Sequence, residues 1–150
     1  MSQAVIIRKA SMDDIEAMGQ LLSELFAIED DFVIDEEVQK SGLRLLLENA
    51  DADVYVADDF GRVIGMVSMQ KLISTAIGKS VGLIEDLIIT KSYRGRGIGS
   101  RLVEALIAES VKKGYGRLSL GADHRNSAAL TFYCTKGFAL SHMGLMYRIS

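Results

Sequence analysis

The sequence predicts an α+β fold in which one mixed, mostly antiparallel sheet carries helices on both faces. Two patterns predict this class. Three consecutive strand-like segments within residues 54–90 are joined by short turns, which indicates antiparallel hairpins. Residues 81–120 have the pattern strand, helix, strand, which indicates a parallel pair with a crossover helix. The predicted order is β-α-α-β-β-β-α-β-α-β-β, in a single domain spanning residues 1–150.

The first elements are a strand and an amphipathic helix. The strand is predicted at Val5–Arg8. Ser11 and Asp14 then have the spacing of a capping box, with Asp in place of the usual Glu. Apolar residues recur on one helical face over residues 15–26, so a helix is predicted behind the box.

The middle of the chain predicts a second helix and three strands. The acidic segment 29–37, EDDFVIDEE, separates the two helices, and Asp35 is placed to cap the second one. Alternating and β-branched residues then predict strands at Val54–Asp58, Val63–Gln70 and Val81–Thr90.

The last third predicts two helices and three strands. Ser100–Lys113 has the clearest helical periodicity, and Asn126–Lys136 ends at a glycine, which favours a helix stop. A strand is predicted between them at Arg117–Leu120. The chain is predicted to close with a strand pair, Phe138–Ser141 and Leu145–Ile149.

The composition indicates a soluble globular protein of the cytoplasm. Of the 150 residues, 49% are hydrophobic and 25% charged, and no stretch approaches the roughly 20 apolar residues of a membrane span. The N-terminal residues lack the apolar core of a secretion signal. A single cysteine, Cys134, allows no internal disulfide, which fits a reducing compartment.

Charge is unevenly distributed along the chain. Residues 10–59 hold fifteen of the twenty Asp and Glu, and residues 60–150 hold thirteen of the seventeen Lys and Arg. This asymmetry suggests two ligands of opposite charge. The basic surplus is too small and scattered for a nucleic-acid interface, so neither nucleic acid nor membrane is expected as a partner.

The segment SYRGRGIGSRL, residues 92–102, predicts an anion-binding loop. Its glycines permit close approach to the backbone, and the helix predicted behind it presents unpaired N–H groups to an anion. A Walker A loop is excluded because no lysine follows the glycines. A dinucleotide fingerprint is disfavoured because Gly95, Gly97 and Gly99 alternate and follow the fourth strand rather than the first.

The loop resembles that of the GNAT superfamily of acyl-CoA N-acyltransferases. RGRGIG at residues 94–99 is similar to the family's Arg/Gln-x-x-Gly-x-Gly/Ala motif. IEDLIITKSYRGRGIGSRL resembles its fourth strand running into the cofactor helix, and RNSAALTFYCTKGF resembles its last helix. The predicted element order also matches the family. Within it, Ile-Glu-Asp at residues 84–86 resembles the diamine and polyamine acetyltransferase-like members.

The resemblance implies a site for acetyl-CoA. The backbone of the loop would bind the pyrophosphate, and an N–H near Leu87 or Ile88 would stabilise the oxyanion of the tetrahedral intermediate. Asn126 would cap the last helix and contact the pantetheine arm. The resemblance implies twelve cofactor-binding residues, which lie on the fourth strand, in the loop and on the last helix. They are Leu87, Ile88, Ile89, Arg94, Gly95, Arg96, Gly97, Ile98, Gly99, Ser100, Asn126 and Tyr133.

Three residues are candidates for acid–base catalysis. Glu85 and Asp86 are charged residues within an apolar strand, and successive residues point to opposite faces, so one is expected to face the acceptor. The resemblance favours Glu85 as base, through a water; the alternative is a carboxylate that orders a neighbouring helix or loop. By resemblance Tyr133 lies near the thioester sulfur, where its phenol (pKa ~10) can protonate a thiolate (~8.5), although simple packing is the alternative.

Cys134 is predicted to be a small buried hydrophobe rather than a nucleophile, because no base has a recognisable relation to it. The two histidines show no metal-binding spacing, so no metal is predicted.

The resemblance implies direct transfer of an acetyl group from acetyl-CoA to a primary amine in a ternary complex. The acidic segment 29–37 would border the acceptor side, where its carboxylates would favour a polyamine, a lysine-like amine or a basic peptide N-terminus. The alternative is a solvated surface loop whose acids only cap the helix after Asp35. The alternatives are a protein or peptide acetyltransferase and a non-catalytic acyl-CoA-binding module. A homodimer is a further expectation from the family.

Overall fold

The computed structural model describes residues 4–150, which divide into two compact units, residues 4–119 and Leu120–Ser150. Short 3-10 helices at Met12–Asp14 and Lys91–Tyr93 accompany the main elements. In the described part of the chain the main elements are β1 (Val5–Lys9), α1 (Ile15–Glu29), α2 (Glu36–Glu48), β2 (Ala52–Asp59), β3 (Arg62–Ser74), β4 (Lys79–Ile89), α3 (Ile98–Lys113), β5 (Leu118–Leu120) and α4 (Ser127–Thr135).

The strands form one sheet in the order β1-β2-β3-β4-β5, and the neighbours from β1 to β4 are antiparallel. The segment leading into β5 bonds to the first half of β4. Gly116 N donates to Ser80 O and Gly82 N donates to Arg117 O, both at 2.9 Å. These bonds advance along both segments in the same direction, so the crossover through α3 joins parallel strands. The predicted α+β class is confirmed.

Helices cover both faces of the sheet in the first unit. On β2, Val54 and Val56 pack in a buried cluster with α1 and α2. The residues that alternate with them, Asp53 and Tyr55, contact α3 instead, through Lys113 (2.6 Å) and Glu109 (3.4 Å). Because successive strand residues point to opposite faces, α1 and α2 lie on one face and α3 on the other.

Two predicted helix starts are confirmed. Asp14 Oδ2 accepts a hydrogen bond from the backbone N–H of Ser11 at 2.8 Å, at the 3-10 turn that leads into α1. At the start of α2, Asp35 Oδ1 accepts from the N–H groups of Glu37 and Val38. Side-chain acceptors of this kind satisfy first-turn N–H groups that lack a partner within the helix.

The predicted closing strands are wrong. Residues 139–150 have no regular secondary structure, and Leu145, Met146 and Ile149 are each more than 70% exposed. Their apolar character suits a strand, but a strand forms only where a neighbour pairs with its backbone. Apart from the last residue of β5, α4 is the only regular element in the unit Leu120–Ser150. The final segment therefore has no strand partner within that unit.

Candidate active site

The glycine-rich loop joins β4 to α3, as predicted, and α3 begins at Ile98 rather than Ser100. Gly95 and Gly97 have φ angles of 77° and 76°, a region that favours glycine. A Cβ built on either residue would meet no heavy atom within 4 Å. Gly97 is the N-cap and offers no side-chain acceptor to the first turn. Open space and helix-start N–H groups coincide here, and this arrangement fits an anionic group such as a pyrophosphate.

The arginines of the loop are engaged in contacts within the protein. Arg94 Nε donates to Ile89 O at 2.7 Å. Arg96 lies over the Tyr93 ring, 4.8 Å from its centroid, and Arg101 donates to the carbonyl of Val5 at 2.8 Å. These contacts shape the loop and tie α3 to β1.

Glu24 of α1 secures the beginning of this loop. Its carboxylate accepts from Thr90 Oγ1 at 2.8 Å and from the backbone N–H of Lys91 at 3.4 Å, and it pairs with Arg94 at 3.7 Å. Sequence reasoning missed Glu24. Its partners lie more than 60 residues away along the chain, and no local pattern signals such a contact.

A β-bulge interrupts β4 beside the predicted catalytic residues. Ser68 of β3 pairs with Glu85 and Met66 pairs with Ile88, so Val67 alone faces two residues, Asp86 and Leu87. Asp86 has a φ of 59°, which is uncommon for a residue with a side chain. A bulge re-aims side chains and disrupts the hydrogen-bond ladder, and such strain clusters at functional sites.

A cavity of about 430 Å³ lies between α1, α2 and the sheet. Its helical walls are mostly apolar, and β3 and β4 contribute one polar side chain each. Among the lining residues are Leu22, Phe26, Leu43, Leu46, Gln70 and Asp86. Gln70 was not identified from the sequence as a site residue, because its position at the end of a predicted strand carries no functional signal.

Asp86 lines this cavity, whereas Glu85 beside it is exposed. Burial raises the pKa of the Asp86 carboxyl to about 6, and the negative charges of Glu85 and Glu29 contribute to the rise. Glu85 Oε1 accepts a long hydrogen bond of 3.4 Å from Gln70 Nε2. Of the two candidate bases, Asp86 has the environment that suits proton transfer near neutral pH.

The other predicted site residues of β4 lie in the sheet. Ile88 is buried in the core cluster and pairs with Met66, and Ile89 pairs with Gly65. Leu87 lies within the bulge.

Tyr133 and Asn126 belong to the second unit. Tyr133 lies on α4, half-buried, with its ring edge-on to Phe132 and Phe138 at centroid distances of 5.2 and 5.8 Å. Asn126 Oδ1 accepts from Ala129 N at 3.0 Å, which confirms the predicted helix cap. Cys134 is exposed, so the prediction of a buried residue was wrong.

Residues 4–150 contain neither a metal-binding cluster nor a membrane-spanning helix. No group of three or more His, Cys, Asp or Glu side chains is arranged to hold a metal ion in this range. Among the same residues, no helix is both long and apolar enough to cross a membrane.

Comparison with known families agrees with this arrangement. The model of the acetyltransferase (GNAT) family matches residues 15–138, a range that contains the bulge, the loop, α3 and α4. The chain therefore belongs to the GNAT family. It is an acetyl-CoA-dependent N-acetyltransferase.

Two characterised relatives act on different acceptors. The chain is 25% identical over 136 residues to the aminoalkylphosphonate N-acetyltransferase of Salmonella typhimurium, covering 91% of this chain and 86% of that protein. It is 40% identical over 57 residues to the N-alpha-acetyltransferase MAK3 of Arabidopsis thaliana, covering 38% of this chain and 30% of that protein.

Solved structures share the fold over nearly the whole chain. A transcriptional regulator from Bacillus halodurans superposes with a TM-score of 0.86 at 26% identity, covering 97% of this chain and 99% of that one. A predicted acetyltransferase from Clostridium acetobutylicum, solved with acetyl-CoA, has a TM-score of 0.82 at 17% identity, covering 96% of both chains.

Proposed function

We propose that this enzyme acetylates the primary amino group of a small cationic acceptor by direct transfer from acetyl-CoA, with Asp86 as general base. The acceptor would enter the cavity between α1, α2 and the sheet. A small acceptor is favoured over a protein because the full-length similarity is to an aminoalkylphosphonate enzyme, whereas the match to the N-alpha-acetyltransferase covers 38% of this chain.

The placement of Asp86 is the observation that carries the proposal. The carboxylate lines the cavity, and its pKa is raised to about 6. At neutral pH it is mostly ionised and can accept a proton from an incoming ammonium group. A base with a pKa near the working pH combines the correct ionisation state with useful proton affinity. Asp86 therefore replaces Glu85 as the preferred base.

The remaining roles follow from the family resemblance and from the local geometry. Acetyl-CoA supplies the activated acetyl thioester. The N–H groups of the loop from Arg94 to Ser100 would hold its pyrophosphate, and a backbone N–H at Leu87 or Ile88, beside the bulge, would stabilise the oxyanion. Tyr133 would return a proton to the leaving thiolate, and Asn126 would contact the pantetheine arm.

The experiment that tests the proposal measures thiol release from acetyl-CoA against small cationic amines and peptides, with the wild-type enzyme and with Asp86→Asn. We expect turnover with small amines and a loss of about two to four orders of magnitude in kcat for the variant. Glu85→Gln is the matched control, since it removes a neighbouring carboxylate outside the cavity, and it is expected to retain most of kcat. Equal losses in both variants would reject Asp86 as the base.

A further inference from the structure

We propose that the acceptor is a monoamine attached to an apolar body, and that this body occupies the cavity between α1, α2 and the sheet. The inference rests on the proposed function, because it assigns the acceptor to that cavity. It also narrows the acceptor class, since a small cationic amine can be either a polyamine or an amine with an apolar chain.

The apolar character of the cavity walls is the first observation that supports this proposal. Six of the eleven lining residues are large aliphatic or aromatic, and they come from α1 and α2. Two of these, Val38 and Leu45, remain 66% and 69% exposed, so they have apolar surface available to a ligand. The six residues are Leu22, Phe26, Val38, Leu43, Leu45 and Leu46.

The polar groups of the cavity are the second observation. Gln39 and Asn49 also line it, but their side chains already bond within the protein. Gln39 donates to Gly19 O, and Asn49 accepts from Asp51 N. Gln70 also lines the cavity and donates a long hydrogen bond of 3.4 Å to Glu85. Asp86, on the sheet side, is the charged residue of the lining.

This distribution of charge suits one ammonium group. Glu29 and Glu85 lie close enough to act electrostatically on Asp86, so negative potential is concentrated where the amino group must react. A second ammonium group farther along the ligand would lie against apolar helical side chains, where the lining offers it no second carboxylate. A charge that loses water there without gaining a partner is disfavoured, so the cavity favours a monoamine over a polyamine.

The size of the cavity is set by a buried link between its walls. Gln39 of α2 donates to Gly19 O and Ser23 Oγ of α1, both at 3.0 Å, and accepts from Asp35 N at 2.9 Å. This network fixes the spacing of α1 and α2. The volume of about 430 Å³ lies within the range of roughly 300–1,000 Å³ of small-molecule sites.

The first part of the test compares acceptors at fixed acetyl-CoA. The panel contains phenethylamine and isoamylamine, the polar ethanolamine, the polyamines putrescine and spermidine, and a peptide with an apolar N-terminal residue. We expect kcat/KM for phenethylamine to exceed the values for ethanolamine and putrescine by about tenfold or more. A preference for polyamines, for ethanolamine or for the peptide would overturn the inference.

The second part of the test reduces the volume of the cavity with a larger side chain. Gly42 lies on α2 in the lining, and a Cβ built there meets no heavy atom within 4 Å. Gly42→Leu removes a helix-destabilising glycine, so the variant is expected to fold. We expect its kcat/KM for phenethylamine to fall about tenfold or more, with ethanolamine and the acetyl-CoA KM unchanged. Ser41→Leu adds the same side chain at the neighbouring exposed position and is the matched control.

A direct binding measurement separates this inference from the proposed function. Phenethylamine is titrated calorimetrically into the enzyme–CoA complex, with wild type, Gly42→Leu and Ser41→Leu. Binding that only Gly42→Leu weakens supports the apolar site even if no amine is acetylated, in which case the proposed function alone fails. Turnover of amines without this selective loss of binding rejects the apolar site and leaves the proposed function in place.

Discussion

Thr90 Oγ1 donates a hydrogen bond of 2.8 Å to the carboxylate of Glu24, joining the end of β4 to α1. Both residues are at the boundary between two parts of the site. Thr90 precedes the glycine-rich loop, and α1 forms a wall of the cavity. We therefore expect Glu24 to act as a positioning residue, through the loop that it holds.

Removing this carboxylate is expected to weaken acetyl-CoA binding. Glu24→Ala loses a hydrogen bond worth about 1 kcal/mol, so the Kd measured by calorimetry should rise about fivefold. Glu16→Ala, an exposed carboxylate on the same helix that pairs with Lys40, is the matched control and should leave the Kd unchanged. A normal Kd in the Glu24 variant would show that the loop keeps its shape without this bond.

Side chains at the glycines of the loop are expected to block the cofactor. Gly97→Val places a branched side chain in the open space beside the backbone, and loss of charge-assisted hydrogen bonds should weaken acetyl-CoA about tenfold to a hundredfold. Gly99→Val, within the first turn of α3, should act in the same direction.

Gly78→Val controls for backbone strain in that experiment. Gly78 has nearly the same φ as Gly97, 77° against 76°, and the same open space, but it lies in the turn between β3 and β4. If the two valine variants bind acetyl-CoA equally, the loop does not hold the pyrophosphate.

Tyr133→Phe is expected to lower kcat by about two to four orders of magnitude. The phenyl ring keeps the edge-on contacts with Phe132 and Phe138, whereas the proton donor is lost. Acetyl-CoA affinity should therefore change little. Tyr115→Phe removes a phenol elsewhere and is the control. Wild-type kcat in the Tyr133 variant would assign protonation of the thiolate to solvent.

The raised pKa of Asp86 predicts opposite effects of pH on activity and stability. With Asp86 as the proposed base, activity would require the ionised carboxylate, so kcat/KM should rise with pH up to about 6 and then level off, as measured in a pH–rate profile. Glu29→Gln removes one of the charges that raise this pKa, so the acidic limb of the profile should move to lower pH. An unchanged profile in both Glu29→Gln and Asp86→Asn would contradict the assignment.

Ionised Asp86 should also destabilise the fold. Because its folded pKa, about 6, lies above the ordinary aspartate pKa of 3.8, the folded state binds the proton more tightly than the unfolded state. Its contribution to stability is present below pH 4 and is lost as the pH rises through 6. Asp86→Asn should therefore raise the free energy of unfolding at pH 7, by up to about 3 kcal/mol, but not at pH 4. Urea unfolding at the two pH values checks this sign.

The acidic segment after α1 is expected to attract the acceptor. Replacing Glu29, Asp30 and Asp31 with their amides should raise the KM for cationic acceptors and flatten its salt dependence, because screening limits such steering to about 8 Å at physiological salt. The acetyl-CoA KM should not change. Asparagine suits Asp30, whose φ is 66°, so the variant should fold. An unaltered salt dependence would assign these acids to the solvated surface.

Local patterns in the sequence determined most of the elements and the position of the glycine-rich loop. Ser11, Asp14 and Asp35 indicated helix starts, and alternating or β-branched residues indicated the strands β2 to β4, because capping and periodicity depend on residues within a few positions of each other. The glycines at 95, 97 and 99 indicated an anion-binding loop for the same reason.

Tertiary structure decided the rest. Alternation alone could not choose between Glu85 and Asp86, because the bulge opposite Val67 changes the direction of the side chains and depends on pairing with β3. Glu24 and Gln70 could not be identified from the sequence, because they contact Thr90 and Glu85, which are distant from them along the chain. The predicted strands Phe138–Ser141 and Leu145–Ile149 did not form, because hydrogen bonding to a neighbouring strand, and not apolar composition, makes a strand.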